Sequence, residues 1–254
     1  MGRVRIAGTA AALCLAMAWA AGADPKEAEK LRIPVPSAPG AANRVDAESK
    51  EVARVPIFVP RDAGAPRARV RGATRGSEFA NTPSIDALVP EQLGYTLDAQ
   101  PTLYWYLSHS TDLRVDFTLD AQDSESVDPE FEITLRKPFE AGINRIDLAS
   151  YGITLRPGVT YMWYVALFPK SDSRSNARVS GGAIQLMTAP PELQQELEAA
   201  DVEQRPFILA AAGIWYDALS VLSEGVRSAS SSARPRAQRA ALLEQVGLGN
   251  AVVP

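Results

Sequence analysis

Hydrophobic and polar residues alternate over several short stretches in the middle of the chain. In Asp112–Asp120 every second residue is apolar, and Phe131–Leu135 repeats the same period of two. This alternation is typical of antiparallel strands that bury one face. Turn-rich segments separate the stretches, so residues 54–189 are predicted to form a β-sandwich. The further predicted strands are Val55–Val59, Thr102–Leu107, Ile143–Leu148, Tyr161–Phe168 and Arg178–Met187.

One segment between two predicted strands indicates the type of sandwich. Tyr161 follows Leu155 by six residues and Pro157 by four. This is the spacing of a tyrosine corner, in which the hydroxyl bonds to upstream backbone. The predicted fold class is therefore mainly β, an immunoglobulin-like or fibronectin-like sandwich followed by a C-terminal α segment. A generic sandwich, in which Tyr161 is simply a buried aromatic, is the alternative.

Two of the predicted strands carry large apolar residues on both faces. Tyr104 and Tyr106 lie on one strand and Met162 and Tyr164 on the other, all with the parity opposite to that of the predicted core residues. A sheet face with outward tyrosines is usually covered by another element. The helical end of the chain is the nearest available cover.

The pattern becomes helical in residues 190–248. Prolines open two predicted helices, at Pro191 and Pro206, and Gly213 separates the second helix from a third. The residues around Gly213 reproduce a tetratricopeptide-type turn, and the pattern recurs 34 residues later at Gly247. One repeat and part of a second are too few to be stable alone, so the tail is predicted to pack on the sandwich. The predicted docking residues are Trp215, Tyr216 and Leu219.

The first residues of the chain predict an export signal. Arg3 and Arg5 precede an apolar run that ends in small residues, so residues 1–23 are predicted to be a cleaved signal peptide. An uncleaved membrane anchor is the alternative. Residues 24–53 are polar and rich in proline, which predicts a flexible arm. We therefore expect an exported protein, periplasmic or extracellular, whose contact with a membrane is peripheral at most.

Composition limits the chemistry that the chain can perform. Cys14, in the predicted leader, is the only cysteine among 254 residues, so the exported chain would be stabilised by packing without disulfides. A formal net charge of −4 gives no general attraction to nucleic acid. His109 is the only histidine, which excludes metal sites built on two histidines. We expect no cofactor and no metal, and a binding protein rather than an enzyme.

Two charged stretches are candidate sites. Four arginines, three of them sharing one parity, would present a row of guanidinium groups to an anion if the chain is extended. The alternative is a charged edge strand, or pairing of these arginines with Glu78 and Glu91. Four acidic residues crowd a later loop and suggest calcium, but they lack the regular spacing of a calcium loop and more simply solvate the turn. The arginines are Arg67, Arg69, Arg71 and Arg75, and the loop acids are Asp120, Asp123, Glu125 and Asp128.

Four segments taken together resemble a bacterial protein family. They are Gly64–Gly76, Ala87–Leu107, Leu155–Phe168 and Ala210–Leu222. Their content and order resemble the domain-of-unknown-function family 928, over roughly Val59–Leu248. The resemblance implies an exported protein without an established activity.

Three functional hypotheses follow. The first is a non-catalytic protein-interaction module of the cell envelope, whose tail is either a peptide-binding groove or a structural cover. The second is a sandwich that binds carbohydrate through Tyr104, Tyr106 and Tyr164. The third is a hydrolase with an unrecognised site. Burial of the tyrosines under the helices would count against the second, and a pocket holding His109 beside a serine and an acid would favour the third.

Overall fold

A computed structural model of the chain describes residues 54–61, 67–71, 82–123, 129–169, 177–228 and 233–251. The predicted signal peptide and the predicted arm lie outside these ranges, as do Arg75, Glu125 and Asp128. Within the ranges given, no helix is long and apolar enough to cross a membrane.

Strands come first along the described chain and helices come last. The strands are β1 (Val70–Arg71), β2 (Ile85–Ala87), β3 (Gly94–Thr96), β4 (Thr102–Leu107), β5 (Val115–Ala121), β6 (Phe131–Thr134), β7 (Gly142–Asp147), β8 (Thr160–Leu167) and β9 (Arg178–Leu186). The helices are α1 (Pro191–Ala199), α2 (Arg205–Ala211), α3 (Trp215–Ser228) and α4 (Ala233–Gln245). Short 3₁₀ turns span Leu148–Tyr151 and Gly249–Ala251.

The strands form two sheets, which are antiparallel apart from one short pairing. In the larger sheet the order is β1-β9-β8-β5-β6, and β3 pairs in parallel with β9. The smaller sheet has the order β2-β4-β7. Phe117 lies opposite Val165 in the larger sheet, and Leu103 lies opposite Ile146 in the smaller one. The prediction of a mainly β fold with C-terminal helices is confirmed.

A single hydrophobic core includes residues of both sheets and of the helices. Along β8 the burial alternates, so that Tyr161, Trp163 and Val165 are buried while their neighbours are partly exposed. Gly182 lies opposite Trp163, and a Cβ at this glycine would come within 2.7 Å of Val89. Only glycine therefore lets the segment after β2 approach β9 so closely.

The start of β8 is fixed by the hydroxyl of Tyr161. This hydroxyl accepts hydrogen bonds from the backbone N–H of Arg156 at 3.2 Å and from its Nε at 3.1 Å. Leu155 is 1% exposed, and Pro157 forms an isolated parallel bridge with Leu186. The residues that were predicted as a corner thus lie together where the chain enters β8.

The predicted strand at Val55–Val59 is wrong. These residues have no regular secondary structure, and they lie along the helices of the tail rather than beside a strand. Pro56 and Pro60 have no N–H to donate to a ladder, so an alternating apolar pattern does not produce a strand here. We call residues 54–61 the strap. The strands β2 and β3 were not predicted, because three residues are too few to show alternation. The strand β1 lies at one edge of the larger sheet, in agreement with the charged edge strand that was the alternative for the arginine row.

The helices α2 and α4 end in the same way, 34 residues apart. Gly213 and Gly247, which follow them, have φ angles of +76° and +71°. The residue after each glycine donates its N–H to a carbonyl five residues earlier, at 2.8 and 3.0 Å. This combination is a Schellman-type helix end, in which glycine adopts the left-handed conformation. The sequence repeat thus marks a repeated helix end, and α3 packs against both α2 and α4.

Candidate binding site on the helical tail

The N-terminal turn of α3 is part of the core. Trp215 is fully buried and donates its Nε1–H to the carbonyl oxygen of Leu88 at 2.9 Å. The Tyr216 hydroxyl donates to the carbonyl of Ala183 at 3.0 Å and accepts from Nε1 of Trp163 at 2.9 Å. Burial raises the pKa of Tyr216 well above its usual range, so the phenol stays neutral and can donate. The third predicted docking residue, Leu219, is also fully buried.

Asp217 lies between α3 and β3. Both of its carboxylate oxygens are 3.2 Å from the backbone N–H of Leu97. Burial raises the pKa of Asp217 to about 6, while hydrogen bonds from the Thr96 side chain and from Leu97 act in the opposite direction. A carboxyl group at the contact between tail and sheet therefore titrates near neutral pH.

The arginines of the predicted anion site contact oxygens of the chain itself. Arg69 donates to the carbonyl oxygen of Val246 at 2.8 Å and to that of Val89. Burial, and then the charge of Arg71, lower the pKa of Arg69 to about 10. Arg67 and Arg71 form ion pairs with Glu91 at 3.3 Å and Asp86 at 3.5 Å, respectively. Arg75 lies outside the described residues, and anion binding stays a prediction.

The strap is held on one side by two glutamines of α4. The side-chain amide of Gln245 donates to the carbonyl of Pro56 at 2.8 Å and accepts from the N–H of Phe58 at 2.9 Å. Gln238, seven residues earlier on the helix, donates to the carbonyl of Arg54 at 3.1 Å. These contacts are made to backbone groups of the strap, much as a neighbouring strand would make them.

The other side of the strap contacts α2 and the start of α3. Val59 donates its N–H to the carbonyl of Ala210 at 3.1 Å, and the guanidinium of Arg61 donates to the carbonyl of Ala212 at 3.1 Å. The ring of Phe58 meets Trp215 edge to face, with centroids 4.9 Å apart. Bonds to the strap backbone, the Arg61 guanidinium and the aromatic contact of Phe58 therefore hold the strap.

An open groove of about 850 Å³ continues from the N-terminal end of the strap, between α2, α3 and α4. The guanidinium of Arg54 lies 5.1 Å from the ring centroid of Phe207 at the junction of strap and groove. Charges at the rim are paired, Arg234 with Glu203 and Arg145 with Glu224. Apolar groups therefore dominate the interior; they include Phe207, Val221, Leu222 and Pro235.

The tyrosines considered for carbohydrate binding do not form one platform. Tyr104 is 3% exposed, and its hydroxyl lies 3.5 Å from Oγ of Ser220 on α3. Burial raises the pKa of this phenol. Tyr106 is partly exposed on the same strand, whereas Tyr164 belongs to β8 in the other sheet. Of the three tyrosines only Tyr104 is buried, so the condition that counts against a carbohydrate surface is met in part, and carbohydrate binding stays a prediction.

His109 lies on the exposed end of the segment that follows β4. Its Nδ1 is 2.8 Å from Oγ of the adjacent Ser108, which also accepts the N–H of Ser84. A serine hydrolase needs a sheltered nucleophile beside a histidine that an acid orients, and this exposed pair lacks that arrangement. In the described part of the chain, no group of three or more histidine, cysteine, aspartate or glutamate residues is placed to hold a metal ion.

The residues that hold the strap were not predicted from the sequence. Gln238 and Gln245 are seven residues apart, and this spacing puts them on one face of a helix. The spacing was available in the sequence, but polar residues at such positions usually face solvent. Their role can be assigned only once the fold has placed the strap beside α4.

Comparison with curated proteins gave no match. The family described as Domain of Unknown Function (DUF928) matches residues 70–253. The matched range contains every strand and helix given above, and the strap precedes it. Because the match covers well over half of the sequence, the chain belongs to the DUF928 family.

Proposed function

We propose that the protein is an exported cell-envelope protein that acts as a non-catalytic interaction module and binds a protein partner through its helical tail. The observation that carries the proposal is the open, largely apolar groove between α2, α3 and α4. A continuous apolar groove of this kind is typical of a binding surface. The family description names no activity that would compete with this proposal.

The proposal includes a finer assignment of the fold, an immunoglobulin-like or fibronectin-like sandwich with a tetratricopeptide-like tail. The bond from the backbone of Arg156 to the Tyr161 hydroxyl supports the first part. The helix ends at Gly213 and Gly247, 34 residues apart, support the second. Arrays of paired helices use the surface between successive helices to bind partners.

Export rests on the sequence of residues 1–23, with its positive start, apolar run and small residues before Asp24. Signal peptide cleavage predicts that protein recovered from the envelope fraction begins at or near Asp24. Mass spectrometry of the N-terminal peptide measures this directly. An intact N-terminus at Met1 in that fraction would favour the uncleaved anchor.

A photo-crosslinking experiment tests the groove as the docking surface. The photoreactive residue p-benzoylphenylalanine replaces Val221, which lines the groove, or Tyr151, which is 39% exposed in the turn after β7. Irradiation of cells that express the full chain is expected to yield one discrete crosslinked protein from position 221 and none from position 151. Equal yields from the two positions would argue against a specific surface.

A pair of variants at Gly225 provides the matched control. A Cβ at this position would meet Pro235 at 3.5 Å, an ordinary contact, so a methyl group fits there without disturbing the helix. Gly225→Gln places its amide in the groove and is expected to abolish the crosslink from position 221. Gly225→Ala adds only a methyl group and is expected to preserve it. A crosslink that survives Gly225→Gln would show that the partner does not enter the groove.

A further inference from the structure

The strap occupies a site that recognises polypeptide backbone. Gln245 forms hydrogen bonds with both an N–H and a carbonyl of the strap backbone, and Gln238 donates to a further carbonyl, that of Arg54. The two glutamines are about 10 Å apart along α4, at 1.5 Å per residue. This reach matches a few residues of extended chain, which rises about 3.3 Å per residue. A site built in this way contacts the backbone of an extended segment and leaves selection to the few side chains that it buries.

Few side chains of the strap are buried by the site. Ile57 is 67% exposed and Val59 is 51% exposed, so neither contributes much to binding. Pro56 is buried, and Phe58 packs on Trp215. The site therefore selects a proline followed, two residues later, by an aromatic residue.

The groove extends this site beyond the strap. Arg54 lies at the junction, and its guanidinium lies over the ring of Phe207. A segment with apolar residues at this position and before it would continue into the groove and contact Val221 and Leu222. Such a segment gains apolar burial that the strap itself does not obtain.

We propose that the strap site is a peptide-binding site for a partner protein, and that the strap is its resting occupant. The partner supplies an extended segment in which apolar residues precede a Pro-x-aromatic sequence. The inference rests on the proposed function and adds the chemistry of the partner. The strap competes from within the same chain at a high effective concentration, so a partner displaces it only through contacts that the strap does not make.

Fluorescence anisotropy with labelled synthetic peptides and the full chain tests the proposal. The peptide ARVPIFVPR copies residues 53–61, and LLVPIFVPR replaces its first two residues by leucine. The leucine peptide is expected to bind about tenfold more tightly, the factor that follows from burying one large apolar side chain. Equal affinities would mean that the groove is not part of the peptide site.

Two variants of the full chain distinguish the effect of the strap on peptide binding from the effect of the site itself. Phe58→Ala weakens the resident strap and is expected to tighten binding of the leucine peptide about tenfold, because less competition remains. Adding Gln245→Ala to this variant is expected to weaken binding about tenfold through the loss of two hydrogen bonds. Gln194→Ala, on the exposed face of α1, is the matched control and should leave binding unchanged. No effect of Gln245→Ala would overturn the assignment, and thermal unfolding verifies that each variant is folded.

The same preparations test whether the strap site binds a partner protein or a second copy of this chain. Dimerisation of the wild-type chain that rises with concentration and disappears in Gln245→Ala would make a second copy the occupant, which overturns the assignment to a partner protein. Absence of dimers together with peptide binding supports it. If the peptides fail to bind while the crosslink from position 221 persists, the peptide site is wrong and the interaction module stands. If the peptides bind but no crosslinked protein forms, the peptide site stands without the proposed module.

Discussion

The start of α3 and the strap are attached to the molecule in different ways. At the start of α3, Trp215 and Tyr216 are at most 1% exposed and form hydrogen bonds inside the core. On α4, Gln238 and Gln245 hold the strap through bonds that are exposed or only partly buried. Buried rings and buried bonds are costly to lose, whereas exposed bonds exchange readily with water. The difference indicates that α3 is part of the folded core, while the strap contact is suited to exchange.

The largest expected effect is at Trp215. Trp215→Ala removes a fully buried indole and its bond to Leu88, so the free energy of unfolding should fall by about 3 to 5 kcal/mol. Urea unfolding followed by circular dichroism measures the change. Val202→Ala, at a residue that is 66% exposed, is the control and should cost less than about 1 kcal/mol. An unchanged midpoint for Trp215→Ala would place α3 outside the core and remove the contrast with the strap.

Arg69 ties the end of α4 to the segment after β2 through partly buried hydrogen bonds, in addition to the apolar packing of Leu242 and Leu243. Arg69→Met removes charged hydrogen bonds to the carbonyls of Val246 and Val89, and should lower the free energy of unfolding by about 2 to 3 kcal/mol. Hydrogen exchange is expected to accelerate in α4 more than in α3. Arg67→Met is the control, because the Arg67 side chain is 77% exposed and its ion pair should contribute less than about 1 kcal/mol. Equal losses for the two variants would contradict the assigned role of Arg69.

The longer strands could be predicted from the sequence, whereas the contacts of the strap and of Arg69 could not, because only the strands depend on neighbouring residues. The strands β4, β5 and β8 alternate because one face of each is buried, and that pattern is written in consecutive residues. The partner of the strap is not a local property. Val55–Val59 alternates like a strand, but its neighbours are the side chains of α4, nearly two hundred positions later in the sequence. The carbonyl of Val246, to which Arg69 donates, is similarly distant in the sequence. The sequence therefore shows only a row of arginines, whereas the fold places the Arg69 guanidinium at the end of α4.

Asp217 allows the contact of α3 to be tested by pH. Its pKa is raised from 3.8 to about 6 by burial, so the folded state holds the proton more tightly than the unfolded state. Its contribution to stability is therefore complete below pH 3.8 and is lost as the pH rises through about 6. Asp217→Asn stays neutral and retains an acceptor for the N–H of Leu97, so it should raise the free energy of unfolding at pH 7 by about 2 kcal/mol. It should also flatten the pH dependence of the free energy of unfolding between pH 4 and 7. Urea unfolding at a series of pH values measures this dependence. An unchanged pH dependence would mean that Asp217 is already well solvated in the folded protein.

The smallest expected effect is at the strap. Gln245→Ala removes two bonds that lie near solvent, so the free energy of unfolding should fall by about 1 kcal/mol or less, well below the effect at Trp215. Hydrogen exchange at the amide of Phe58 should nevertheless become much faster, because this amide loses its acceptor while the core is unchanged. Gln194→Ala replaces a glutamine on α1 and should alter neither quantity. A loss above about 3 kcal/mol for Gln245→Ala would make the strap as integral to the fold as α3. A segment held that firmly is a poor candidate for displacement, so the same measurement sets a limit on any exchange with a partner.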